Sequence, residues 1–214
     1  MAATVTIVDY GVGNLYSVRR AVEVCGGSVV VSSDPEEIER AERLILPGVG
    51  AFADGIRGLH ERGLAEPIGR YARAGRPLLG ICLGMQMLAT ASEEFGRHSG
   101  MDLIPGEVVA IPRRSVHDRP IKVPFIGWTP LIIRNAEACA DSCLDGLPPS
   151  AAVYLVHSYH FVPTDDRHRL AAYSFGGHEI GAAVRRDNIT GFQFHPEKSG
   201  SVGLDIMARF VARG

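Results

Sequence analysis

The sequence predicts an α/β protein, with a mostly parallel central sheet, helices on both faces, and antiparallel additions in the C-terminal half. Three observations carry this reading. From residue 4 to residue 91, apolar β-rich runs alternate with stretches of helical spacing, the pattern that parallel pairing and crossover helices require. Beyond residue 100 the helical stretches give way to short β-like pieces. Between Gly80 and Gly84, where an apolar run passes into helical spacing, stands Cys82, the arrangement of a nucleophile elbow.

In chain order, "TVTIVDY" (4–10) is a strand, broken by "GVGN". "LYSVRRAVEVCGG" then places Leu15, Val18, Ala21, Val22 and Cys25 on one helical stripe that Gly26 ends. "SVVVSS" reads as a buried strand, and "DPEEIERA" opens a helix with Asp34 as N-cap, Pro35 at the first helical position and acids in the first turn. "RLILPGVG" is a third strand, residues 52–74 one longer amphipathic helix, "RPLLGICL" a fourth strand, and Gly84 to Ala91 a fourth helix. The later pieces "GEVVAIP", "IKVPFIGW", "PLIIR", "AVYLVHSYHFVP", "RLAAYSF" and "EIGAAVRRDNITGFQFHP" read as antiparallel additions before a closing helix, "VGLDIMARFVAR". No repeat, low-complexity tract or dividing linker interrupts them, so residues 1–214 are read as a single domain.

Composition narrows the function. The chain is 46% hydrophobic and 21% charged with a formal net charge of −2, ordinary for a globular protein. Without clustered Lys or Arg there is no phosphate-tracking surface, which argues against nucleic acid. No stretch approaches the ~18 apolar residues of a membrane span. The N-terminus has no basic region, apolar signal core or cleavage site. The expectation is a cytoplasmic protein with no membrane partner. In such a chain Cys25, Cys82, Cys139 and Cys143 stay reduced. Cys139 and Cys143 with His157 and His160 superficially match a zinc pattern, but residues three apart on an extended segment face opposite ways, so no metal is expected. Cys25, Cys139 and Cys143 read as buried apolar cysteines.

Cys82 is different, because two glycines beside it permit a tight strand-to-helix turn and the helix start below favours a thiolate. A thiolate needs a base. "GFQFHPEKSG" offers His195, with Glu197 two residues on; in an extended segment the two share a face, so the carboxylate can fix the ring's tautomer while the other nitrogen faces the thiol. Among the other histidines only His157 rivals it, and His157 lacks a carboxylate at that spacing. A Cys-His-Glu set calls for acyl transfer and for oxyanion donors. "PGVGAF" (47–52) is a candidate donor loop whose N–H would join that of Leu83, although a plain strand-end turn fits the stretch as well. "DYGVGN" resembles part of a dinucleotide fingerprint, but Tyr16 occupies the third glycine's place and Asp34 is already a helix cap.

With these residues in place, the chain resembles the class I glutamine amidotransferases, most closely the glutaminase subunits of imidazole glycerol phosphate synthase. "GICLGMQ" and "HPE" carry the general likeness; "DYGVGNLYSV", "LPGVGAF", "KVPFIGW", "VHSYHF" and "FQFHPEKSG", in that order, carry the closer one. The resemblance implies Cys82 as nucleophile, His195 as base and Glu197 as its orienter. It implies that Gly48, Val49, Gly50, Gln86, Ser158 and Tyr159 hold glutamine beside Leu83, with no cofactor. It further implies a heterodimer with a (β/α)8-barrel cyclase that uses the ammonia in histidine biosynthesis, with Lys122, Trp128, Tyr154 and Lys198 near the interface. Phe125 and Thr129 depart from the family's K-V-P-H-[IM]-G-W-N. A related glutaminase serving surface-sugar synthesis is therefore an alternative; separately, a free-standing cysteine hydrolase would fit the Cys-His-Glu set.

Overall fold

The structure, a computed structural model, describes residues 3–134 and 136–212. Its first half is β1 (Thr4–Val8), α1 (Leu15–Val24), β2 (Ser28–Ser32), α2 (Pro35–Arg40), β3 (Arg43–Leu46), α3 (Phe52–Glu61), α4 (Ala65–Arg73), β4 (Leu78–Ile81), α5 (Leu83–Met87), β5 (Ala91–Ser92) and β6 (His98–Ser99). The second half is β7 (Gly106–Ala110), β8 (Phe125–Pro130), β9 (Ile132–Ile133), α6 (Ala136–Cys139), β10 (Ala152–His157), β11 (Tyr159–Pro163), β12 (Arg169–Phe175), β13 (His178–Arg186), β14 (Ile189–Phe192) and α7 (Gly200–Ala212). The main sheet has the order β2-β1-β3-β4-β14-β13-β12-β9. Pairing is parallel from β2 to β14 and antiparallel beyond it, so the expected parallel sheet with antiparallel additions is what the chain forms. A four-stranded sheet, β11-β7-β5-β6, and a two-stranded ribbon, β10-β8, complete it.

Local chemistry accounts for the helix starts. Asn14 caps α1 by accepting from the Ser17 N–H, and Asp34 caps α2 by accepting from the Glu36 N–H, each relieving one unpaired donor of the first turn. Asp34 is thus committed as a cap. The long helix expected over 52–74 is two, because Gly63 takes a left-handed φ of +66° between α3 and α4 and ends the first of them. The helix after Cys82 is also shorter than expected. It stops at Met87 because the returning chain donates the Leu103 and Ile104 N–H groups to the Leu88 carbonyl. "SVVVSS" is the sheet's outer strand rather than a buried one, and Val30 and Val31 are exposed.

The expected strand over 152–163 is broken at Ser158, which sends β10 to β8 and β11 to β7. Alternation along the ribbon follows from its pleat. Val153 and Leu155 point inward and pack with Phe192 and Phe194 in the core, and Phe125 turns inward as well, against Tyr173, Phe175 and His157. Among the described residues no helix is long and apolar enough to cross a membrane.

Candidate active site

β3, β4 and β14 run parallel and adjacent, so their C-terminal ends open at one edge, where parallel α/β sheets gather their binding loops. β3 leads into Pro47–Gly50, β4 into Cys82, and β14 into Gln193–His195. Residues more than a hundred positions apart in sequence are thereby brought together by sheet order alone.

Cys82 has φ 56° and ψ −112°, a conformation that costs a non-glycine residue free energy and is held by its surroundings. Its N–H donates to the Phe192 carbonyl at 2.7 Å, and its carbonyl accepts from the Gln86 N–H at 3.2 Å. The flanking glycines serve close approach. A Cβ on Gly84 would lie 1.8 Å from the Leu46 carbonyl oxygen, and one on Gly80 would lie 2.8 Å from the Gly84 oxygen and the Met85 backbone. The left-handed turn itself falls on the cysteine.

His195 Nδ1 is 2.8 Å from Glu197 Oε1, with both side chains almost fully buried. The ring lines the same cavity as Cys82 and interacts with its sulfur. Burial alone would lower the His195 pKa, but the interactions with Cys82 and Glu197, with their charges, outweigh it and raise it to about 10. Glu197 Oε2 has no partner among the described residues, so the ring is what compensates the carboxylate. The contact arises differently from the extended segment expected. Pro196–Lys198 is a turn of 3₁₀ helix closed by the Lys198 N–H on the His195 carbonyl at 3.0 Å, and this turn carries Glu197 back under the ring.

His157 lines the same cavity but is chemically occupied. Its Nδ1 lies 2.8 Å from the Tyr159 carbonyl, which can only accept, so Nδ1 carries the proton and Nε2 accepts from the Tyr173 hydroxyl at 2.9 Å. Burial lowers its pKa to about 4. No lone pair is left for a thiol. His160 accepts from the Gly181 N–H at 3.2 Å, and among the described residues no group of three His, Cys, Asp or Glu is placed to hold a metal ion.

The cavity beside Cys82 measures about 320 Å³ and is lined by Val49, Gly50, Cys82, Leu83, Gln86, Glu94, His157, Ser158, Tyr159 and His195 among others. Gly48 lies beneath it: a Cβ there would stand 2.5 Å from the Tyr10 hydroxyl and 2.9 Å from Leu83 Cβ. Tyr10 holds this loop by donating to the Pro47 carbonyl at 2.9 Å, which gives "DYGVGN" a supporting role. The Leu83 N–H donates to the Gly48 carbonyl at 3.4 Å, so the Gly48–Val49 peptide turns its oxygen, rather than the Val49 N–H, toward the second donor. Two lining or adjacent groups were missed by sequence reasoning. Glu94 gives no local signal; it faces the cavity while accepting from the Phe52 N–H at 2.6 Å. Gln193 was legible in principle, two residues before His195 on an extended approach, and its Nε2 stands 3.8 Å from Cys82 Sγ.

A family model described as Glutamine amidotransferase class-I matches residues 6–213. This chain belongs to the class-I glutamine amidotransferases. Among curated relatives, the imidazole glycerol phosphate synthase subunit HisH 1 of Legionella pneumophila (strain Paris) is 49% identical over 210 residues, covering 98% of this chain and 99% of that protein. The HisH subunit of Geobacter sulfurreducens is 46% identical over 207 residues, covering 96% and 97%. The fold is shared with the structure of PurLQS from Thermotoga maritima, at TM-score 0.74 and 21% identity over 99% of both chains.

Of the remaining expected residues of this amidotransferase, Trp128 and Tyr154 lie on the ribbon beside the site, whereas Lys122 precedes it and Lys198 lies in the turn after His195. Trp128 and Tyr154 are opposite one another in register, with ring centroids 6.1 Å apart. A Cβ on Gly200, two residues after the exposed Lys198, would reach to 3.8 Å of the Trp128 ring. Trp128 and Tyr154 therefore share the outer face of the ribbon, which also exposes Ile126. Lys122 is exposed on the segment entering β8.

Proposed function

We propose that this chain is the glutaminase subunit of an imidazole glycerol phosphate synthase, a single domain spanning residues 1–214 that makes ammonia for a separate (β/α)8-barrel cyclase in histidine biosynthesis. The observation that carries the chemistry is the buried His195–Glu197 pair set against Cys82 on a strained elbow. The identity to HisH subunits over nearly the whole chain supports the pathway, and two core clusters that each draw on both halves of the chain, from Val5 to Val211 and from Val8 to Ile189, support the single domain.

In this reading His195 takes the Cys82 proton and the sulfur attacks the glutamine side-chain carbonyl carbon, forming a tetrahedral oxyanion. The C–N bond then breaks as His195 returns the proton to the leaving nitrogen, releasing ammonia and leaving a thioester. Water, deprotonated by His195, attacks the thioester; the C–S bond breaks, glutamate leaves and the thiol is restored. Glu197 holds the ring and stabilises its charged form. Gln86 donates both amide hydrogens to protein oxygens, so it offers glutamine its carbonyl oxygen, and Glu94 supplies a carboxylate for the substrate's ammonium.

The Leu83 N–H, paired with the Gly48 carbonyl, is one oxyanion donor held out of use. Turning the Gly48–Val49 peptide frees it and brings in the Val49 N–H, an economical way to keep glutamine intact until the partner is docked and loaded. The exposed face of Ile126, Trp128 and Tyr154 beside the site is where such a partner docks. Mixing the chain with barrel cyclases and following glutamine-dependent turnover tests the proposal. Turnover with the histidine-pathway cyclase supports it, whereas turnover only with an acceptor from surface-sugar synthesis would move the chain, with its Phe125 and Thr129, to that alternative.

A further inference from the structure

The sulfur of Cys82 has a polar neighbour that the triad does not use. Gln193 is fully buried on the segment that leaves β14, and its amide Nε2 lies 3.8 Å from Cys82 Sγ, within reach of a sulfur acceptor. Which end of the amide faces the sulfur is decided by chemistry. The Tyr159 carbonyl only accepts, so Gln86 presents its NH₂ there at 3.0 Å, and the second hydrogen of that NH₂ goes to Gln193 Oε1, also at 3.0 Å. With its oxygen taken, Gln193 must turn its own NH₂ to Cys82. The Tyr159 carbonyl is in turn held by His157 Nδ1–H, whose Nε2 is held by the Tyr173 hydroxyl. Two donor runs therefore meet on the Tyr159 carbonyl, one from buried Tyr173 through His157 and one from Gln86, and the other hydrogen of Gln86 fixes Gln193 so that its amide donates to the thiol.

We propose that Gln193 is a positioning residue of the glutaminase reaction, its amide N–H directed at the Cys82 sulfur by Gln86 so that the thiolate is held and stabilised before attack and again as the thioester breaks. The inference rests on Cys82 being the nucleophile. A donor gains most from an ionised acceptor in a buried setting, and a thioester sulfur accepts poorly. The amide therefore favours the sulfur when it is an anion, the state that both enters and leaves the covalent intermediate. A buried glutamine that merely accepted from Gln86 would need only its oxygen.

The two roles separate with Gln193→Met, which keeps length but has no amide, and Gln193→Glu, which keeps volume and the oxygen for Gln86 but has no NH₂. The readout is the alkylation rate of Cys82 by iodoacetamide against pH, followed by peptide mass on the full chain, together with glutaminase kcat and KM in the complex with cyclase. The other ionisable groups facing Cys82 are His195 and Tyr10, with Glu94 and His157 across the cavity, and all remain in both variants. Gln193→Met is expected to slow Cys82 alkylation at pH 7 by about tenfold or more and to move the profile to higher pH. The same variant should lower kcat by a like factor, with KM for glutamine changed less than about twofold. Gln193→Glu is expected to be at least as impaired. Profiles identical to the unaltered chain in either folded variant overturn the proposal. Normal alkylation shifts in a chain that never turns over glutamine with any partner would instead overturn the glutaminase reading and leave the Gln193 contact standing.

Discussion

At Cys82 a side chain with a free-energy cost in its backbone sits where two glycines admit the surrounding strands, and every catalytic proposal follows from what faces its sulfur. His195→Ala is expected to cost ~10²–10⁴ in glutaminase kcat, as removal of a general base does, and Glu197→Gln less, because the carboxylate only orients and charges the ring. His157→Ala should cost less than His195→Ala, since both of its nitrogens are already engaged. Single-turnover rates on the three variants decide it, and His157→Ala as the most damaging change would name a different base. Much of this was legible, but not always for the right reason. Gly80-x-Cys82-x-Gly84 predicted the elbow because close packing is written locally as missing side chains. His195 and Glu197 were found by their spacing, although a 3₁₀ turn and not a strand joins them. Gln193 and Glu94 were not found, because their significance lies in a sulfur 111 residues away and a helix start 42 residues away in sequence; Gln193 at least stands two residues before His195, whereas Glu94 has no local signature.

The elements carry their own tests. Gly84→Ala would push a Cβ to 1.8 Å from the Leu46 oxygen where β3 ends, with backbone on both sides and nothing flexible to yield. The expectation is a loss at or beyond the ~3 kcal/mol upper end of ordinary point changes, read as a collapse of the denaturant midpoint or failure to accumulate folded chain. A midpoint within ~0.5 kcal/mol of the unaltered protein would contradict the packing. The β10–β11 junction makes a pH prediction. Burial lowers both His157 and His160 from 6.5 to about 4, so between those values the unfolded chain binds more protons than the folded one. Their contribution is present above pH 6.5 and is lost as pH falls toward 4. Urea midpoints should therefore drop across that interval, and less steeply in His160→Gln; an unchanged slope would remove His160 from the account. Helix starts at Asn14 and Asp34 were legible because caps are local. The stops after Glu61 and Met87 were misjudged, since one depends on a left-handed glycine within a continuous stripe and the other on a returning loop.

For the whole molecule, the sheet order places the Leu83–Gly48 hydrogen bond, Cys82 and an exposed aromatic face within one end of the fold, and the proposed reading makes the first a withheld oxyanion donor and the second the nucleophile. The isolated chain should hydrolyse glutamine slowly and be stimulated at least ~10²-fold when cyclase is present and loaded with its own substrate, the scale of one recovered oxyanion donor. Trp128→Ala should weaken that stimulation while leaving Cys82 alkylation in the free chain unaltered. Full activity from the chain alone would refute the gate and revive the free-standing hydrolase. The central claim, that Cys82 makes ammonia which this chain hands to a partner, is tested most directly by one assay of the Cys82→Ala complex with two nitrogen donors. Synthesis should vanish with glutamine and persist with ammonium salt, because free ammonia bypasses the lost site. Retained glutamine-dependent synthesis, or loss with both donors in a complex that still assembles, would contradict it.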